Sequence, residues 1–277
     1  MEVEAILFDL DDTLVVDEAV SREAMASVAA EAARLHGVAA ADFLLTARTI
    51  RGRFWSENPF RADCERLGIS FEEVLYGRFD PEGPDWYLGF RQWALDARVR
   101  FFDAILTGHG IHDEAAAAEL AKRFAVTRRK RQRLMPDARE VLARLAGSFR
   151  LGLLTNGAPS IQQEKIDDSG LSSFFQGILI SGACGIGKPD PAVFHLAAEM
   201  LGVAPSRCAM VGNSQQRDIV GSKAAGFARA IWLHVVGSEE NSEAVRPDVT
   251  VSALHELPAK LFQERPIPAV PPIPPVR

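Results

Sequence analysis

Ile6-Leu7-Phe8-Asp9-Leu10-Asp11-Asp12-Thr13-Leu14 decides the reading of this chain: an apolar run from Val3 to Phe8 gives way to carboxylates spaced D-x-D-x-T. A short apolar run bounded by polar residues predicts an inner strand, and open α/β sheets hold their ligands where such strands leave the sheet. Side chains alternate along an extended segment, which puts Asp9 and Asp11 on the same side, about 6–7 Å apart. Two carboxylates that close stay ionised cheaply only with a cation or hydrogen-bond donors between them. By itself the stretch also reads as a solvated acidic turn, because short motifs recur by chance.

Three later segments, each after an apolar run, narrow the choice. They are Leu151-Gly152-Leu153-Leu154-Thr155-Asn156-Gly157, then Lys188-Pro189 after Gly177-Ile178-Leu179-Ile180-Ser181, then Met210-Val211-Gly212-Asn213-Ser214 followed by Asp218 and Gly221–Gly226. In this order they complete a pattern that resembles the haloacid dehalogenase superfamily, over residues 1–16 and roughly 130–255. The stretch from Thr155-Asn156-Gly157 to Lys188-Pro189, with Ala230-Ile231-Trp232-Leu233, looks like the branch that includes N-acylneuraminate-9-phosphatase and pyrimidine 5'-nucleotidases.

The resemblance implies Asp9 as a nucleophile that forms an aspartyl-phosphate. It implies Asp11 as the acid for the leaving oxygen and later the base for water; dehalogenases in general lack this second Asp. Thr155, Asn156 and Lys188 are then expected to meet the phosphoryl group, a hydroxyl and a fixed positive charge being what its oxygens need. Thr13 is expected to be structural or to hold Asp11. The implied cofactor is Mg2+, on Asp9, the backbone carbonyl of Asp11, Asn213, and Asp218 directly or through water. Asn213 departs from the family, which usually carries an acidic ligand there; a neutral carbonyl oxygen attracts a hard cation less strongly.

A magnesium-dependent phosphatase of small phosphorylated metabolites, a sugar phosphate or a nucleoside monophosphate, is the resulting expectation. A phosphotransferase or mutase, a 2-haloacid dehalogenase, and a weakened enzyme serving as a phospho-ligand-binding regulatory module remain alternatives. Gly182–Lys188 also fits half of a P-loop, but Pro189 stands where that motif needs Ser or Thr for magnesium.

Composition fits these expectations. At 277 residues, with 47% hydrophobic and 25% charged residues, the chain suits a soluble protein with one large domain and a smaller insertion. No apolar run is long enough for a membrane span and the start passes directly into a charged strand, so no membrane and a cytoplasmic location are expected. Cys64, Cys184 and Cys208 are too scattered for a disulfide framework or a zinc site. A net charge of -6 argues against a nucleic-acid-binding surface over the whole molecule. The oligomeric state is not legible.

The expected fold is α/β: a Rossmann-like doubly wound parallel-sheet core, residues 1–16 and 134–262, with an inserted mainly helical cap at 17–133 and a Pro-rich tail at 263–277. In the family such a cap closes over the active site and selects small substrates. Helices are expected at Glu18–Leu35, Phe43–Trp55, Trp86–Leu106, Asp113–Arg128, Ala138–Leu145 and Ala192–Leu201, with breaks at Asn58-Pro59, Gly68 and 80–84. Strands are expected near 150–155, 177–181, 208–212, 230–235 and 248–251. Arg128 to Arg133 reads as a solvated basic helix end that steers anions, while Arg51, Arg53 and Trp55 either contact substrate or decorate a helix. His109 and His112 lack the company of a metal site and read as loop residues.

Overall fold

The computed structural model describes residues 2–81, 85–234 and 245–261. The expected tail at 263–277 and part of the break at 80–84 lie outside them. The chain divides into two compact units, one of residues up to Val16 together with those from Arg133 onward, the other Asp17–Gln132.

The first unit is built on a six-stranded sheet, with β1 Ala5–Phe8, β2 Arg150–Thr155, β3 Gly177–Ile180, β4 Cys208–Gly212, β5 Arg229–Leu233 and β6 Val249–Val251. The spatial order is β3-β2-β1-β4-β5-β6, and every pairing is parallel. Registers are fixed by pairs such as Ile6 with Leu151 and Phe8 with Val211. Parallel strands covered on both faces lose the hydrophobic-polar alternation of half-exposed ones, which is why β1 reads as one apolar run. Its side chains nevertheless part to two sides: Ile6 and Phe8 join one apolar cluster, with Leu151, Leu153, Val211 and Ile231, while Ala5 and Leu7 join another, with Leu154, Phe194 and Met210. The strand order reverses between β1 and β4, and the carboxyl ends of strands beside such a reversal are where α/β sheets leave a crevice. Asp9 directly follows β1 and Asn213 directly follows β4.

The second unit is helical: α1 Glu18–His36, α2 Ala40–Ser56, α3 Arg61–Leu67, α4 Phe71–Tyr76, α5 Asp85–Thr107 and α6 Glu114–Lys130. The four long helices fall where sequence placed them. α3 and α4 were not foreseen, although Ser70 and Glu73 form a capping box at the start of α4, a signal present in the sequence. An aromatic chain of Phe54, Phe71, Phe101, Phe102 and Phe124 fills the interior.

Lys130, Arg131 and Arg133 are exposed, as a solvated basic end requires, but Arg128 departs from that expectation. It is 1% exposed, donates to Ser21 Oγ at 2.8 Å and to Asp17, and lies over the Tyr76 ring at 4.7 Å. Arg131 stays exposed and pairs with Glu23 at 3.3 Å. Arg51 pairs with Glu72 at 2.8 Å, and Arg53 lies 3.8 Å from Glu57. His109 bonds Thr46 at 3.1 Å.

The remaining helices belong to the sheet unit: α7 Ala138–Ala146, α8 Pro159–Ser169, α9 Ser181–Cys184, α10 Pro191–Met200, α11 Gly221–Ala224 and α12 Leu257–Leu261. Pro159 and Pro191 occupy first-turn positions, where a missing N–H costs nothing, and Asp190 caps α10 through the Ala192 N–H at 2.9 Å. No helix among the described residues is long and apolar enough to cross a membrane.

Candidate active site

Asp9, buried at the end of β1, accepts a hydrogen bond from the Lys188 ammonium at 2.6 Å on Oδ1. The same ammonium donates to Asp218 Oδ1 at 2.7 Å. Lys188 reaches this position from the loop after α9, and Asn156 fixes that loop: its Oδ1 accepts from the Lys188 N–H and its Nδ2 donates to the Lys188 carbonyl, both at 2.9 Å. The Asn156 side chain is therefore spent on Lys188, and what remains for a ligand is its backbone. The helix after Lys188 starts only at Pro191, so the P-loop alternative lacks the helix N-terminus it requires.

Asp218 stands in a wide π-helical turn, Gln215–Val220, and its Oδ2 accepts from the Ser214 N–H at 2.9 Å. Gly212 makes this approach possible, because a Cβ there would collide with the Asp218 carboxylate. The resulting cluster carries two carboxylates and one ammonium out of water. Burial works against the Lys188 charge, but Asp218 and Asp9 together outweigh it and hold the amine above the ordinary lysine value. Burial also raises the Asp9 carboxyl; Lys188 opposes that rise and Asp218 adds to it.

Thr13 does not hold Asp11. Its hydroxyl oxygen accepts from the Asn213 N–H at 3.1 Å and lies 3.4 Å from Asp9 Oδ2 and 3.5 Å from Asn213 Oδ1, so one proton is shared between two weak acceptors. The chain turns sharply here, with Asp12 in the left-handed region at φ 54°. Asp11 has a lysine of its own: Lys165 Nζ lies 2.8 Å from each of its carboxylate oxygens. Gln162 Nε2 donates to Asp11 Oδ2 at 3.1 Å and to Thr155 Oγ1 at 2.6 Å. The donors that two nearby carboxylates require are thus supplied separately, Lys188 to Asp9 and Lys165 to Asp11.

Neither Lys165 nor Gln162 was picked out from sequence. The signal was available: Ile161, Lys165, Ile166 and Ser169 share the buried face of α8, where a lysine has to find a partner.

Among the described residues no three His, Cys, Asp or Glu side chains cluster as a metal centre. The donor set is nonetheless all oxygen. Asp9 Oδ2 and Asn213 Oδ1 converge on the Thr13 hydroxyl, and the excess negative charge of the Asp9–Lys188–Asp218 cluster favours a cation. Both Asp218 oxygens already take donors, which favours contact through water. Few protein ligands and retained waters suit magnesium.

The family model for haloacid dehalogenase-like hydrolases matches residues 3–226. The phosphoserine phosphatase of Thermus thermophilus is 38% identical over 91% of this chain and 96% of its own. The N-acylneuraminate-9-phosphatase of Rattus norvegicus is 26% identical over 94% of both. A pyrimidine 5'-nucleotidase of Escherichia coli is 36% identical over 44% of this chain and 54% of its own. These matches bear out the branch that the motifs resembled. In fold the chain is similar to a HAD-hydrolase of Bacillus subtilis solved bound to magnesium, with a TM-score of 0.64 and 23% identity over 94% of this chain and 99% of that one.

Proposed function

We propose that this chain, which belongs to the haloacid dehalogenase-like hydrolases, hydrolyses small phosphomonoesters through an aspartyl-phosphate on Asp9, with magnesium as cofactor. The observation that carries the reading is the buried Lys188 ammonium, 2.6 Å from Asp9, with a second carboxylate, Asp11, two residues further on.

Asp9 attacks phosphorus, the ester P–O bond breaks, and the leaving oxygen takes a proton from Asp11. Water then attacks phosphorus and gives its proton to Asp11, and the bond to Asp9 breaks, releasing inorganic phosphate and restoring both carboxyl groups. Lys188 neutralises charge that develops on the phosphoryl oxygens, and the Thr155 hydroxyl and nearby backbone N–H groups take another of those oxygens. Magnesium, when bound by Asp9 and Asn213 with the Asp11 carbonyl and with Asp218 through water, supplies positive charge to the same oxygens. In this reading the helical unit selects the substrate as a cap. Phosphoserine is the first candidate, on the 38% identity to its phosphatase over nearly the whole of both chains, ahead of a sugar-acid phosphate and nucleoside monophosphates.

Asn213, neutral where a metal carboxylate is usual, is the one observation that favours a second reading, a module that binds phosphorylated ligands without turnover. Phosphate release from that panel of compounds, with and without magnesium, separates the two. Magnesium-dependent turnover supports the phosphatase, and binding without release supports the module.

A further inference from the structure

Lys165 is 3% exposed and Gln162 fully buried, both on α8, and the proposed reaction gives neither a part. Their placement is expensive. A lysine and a glutamine on the inward face of a helix forgo both apolar packing and water, and such groups persist where their partners need them. Here the partner is Asp11. One ammonium spans both carboxylate oxygens, which fixes the plane of the carboxylate as well as opposing its charge, and the Gln162 amide joins Asp11 to Thr155. A single helical face thereby connects the group that exchanges protons with the hydroxyl that meets the phosphoryl group.

We infer that Lys165 and Gln162 are positioning residues that hold Asp11 fixed and charge-compensated for hydrolysis of the aspartyl-phosphate. The inference rests on the reading of Asp11 as the proton-transfer group. The resting geometry suits the second half-reaction, in which Asp11 acts as a carboxylate: Lys165 and Gln162 already hold it in that form. With a good leaving group the first half-reaction needs little from Asp11, so loss of Lys165 shows in the second step alone.

The test follows 4-nitrophenyl phosphate with magnesium in a rapid-mixing experiment, reading nitrophenolate and, by intact mass, the phosphorylated protein. Lys165→Met is expected to keep a burst close to one nitrophenolate per protein while its steady-state rate falls roughly 10- to 100-fold, within the range that a positioned proton-transfer group supplies. Phosphorylated protein should accumulate. Lys165→Arg should recover part of the rate, and Lys165→Met should add nothing in an Asp11→Asn background, because residues acting through one group are not additive. Gln162→Leu should show the same pattern with a smaller loss, and it carries the test if Lys165→Met does not fold. A steady-state rate within threefold of wild type, beside an impaired Asp11→Asn, would overturn the inference and leave the phosphatase reading standing. Burst and steady state falling together would overturn it too, as the mark of a structural role. An unimpaired Asp11→Asn, or no wild-type turnover, would remove the parent reading and the inference with it.

Discussion

Lys188 and Asp218 are separated by 30 residues of chain, yet the ammonium of one donates to the carboxylate of the other at 2.7 Å with both side chains 1% exposed. The same ammonium serves Asp9, so Lys188→Ala removes the cation that both buried carboxylates share. Breaking such a cluster should cost about 3–5 kcal/mol in urea unfolding. Turnover should fall on the order of 10²- to 10³-fold, as when one preorganised transition-state donor is lost. The sign of the pH effect follows from the raised folded value of Lys188: its contribution is complete below the ordinary 10.5 and is lost as pH rises through the folded value. The variant should lack that alkaline loss. A loss of stability with full activity would return Lys188 to a structural role.

Gly212→Ala isolates the position of Asp218. The added methyl collides with the Asp218 carboxylate, which must leave Lys188 or the Ser214 N–H. We expect about 1–3 kcal/mol of destabilisation from overpacking, and at least a roughly tenfold loss of turnover. Wild-type values in both assays would mean that Asp218 is not held in this way.

How much of this was legible turns on the difference between pattern and pairing. β1 was readable because an inner parallel strand is apolar along its whole length, and Asp9 because a carboxylate ends that run. The positions of β2 to β6 followed from the same apolar runs between turn residues. α3 and α4, at seven and six residues, are too short for helical periodicity to emerge. Arg128 was misread because a run of like charges looks solvated until Asp17, Ser21 and Tyr76 are seen around it. Lys165 was missed for the converse reason: its partner lies 154 residues earlier in the chain, and no local pattern announces such a distance.

Asn213→Asp probes the one departure from the family's pattern. The substitution adds a negative charge beside Asp9 and Thr13 while keeping an oxygen where Asn213 Oδ1 lies. Charge count is a main determinant of affinity for hard cations, so the magnesium concentration for half-maximal activity should fall. The maximal rate need not rise, since tighter binding in the ground state does not by itself stabilise the transition state. An unchanged magnesium dependence would place Asn213 outside the metal's ligands.

The claim that Asp9 is the nucleophile is tested most directly by measuring inorganic phosphate released from phosphoserine and from 4-nitrophenyl phosphate by wild type and by Asp9→Asn, with magnesium, at matched folding by circular dichroism. Asn keeps the shape of Asp9 but removes the attacking carboxylate, so wild type should turn over at least one ester while Asp9→Asn loses more than roughly 10³-fold and never gains the mass of a phosphoryl group. Residual activity of Asp9→Asn within tenfold of wild type would contradict the account.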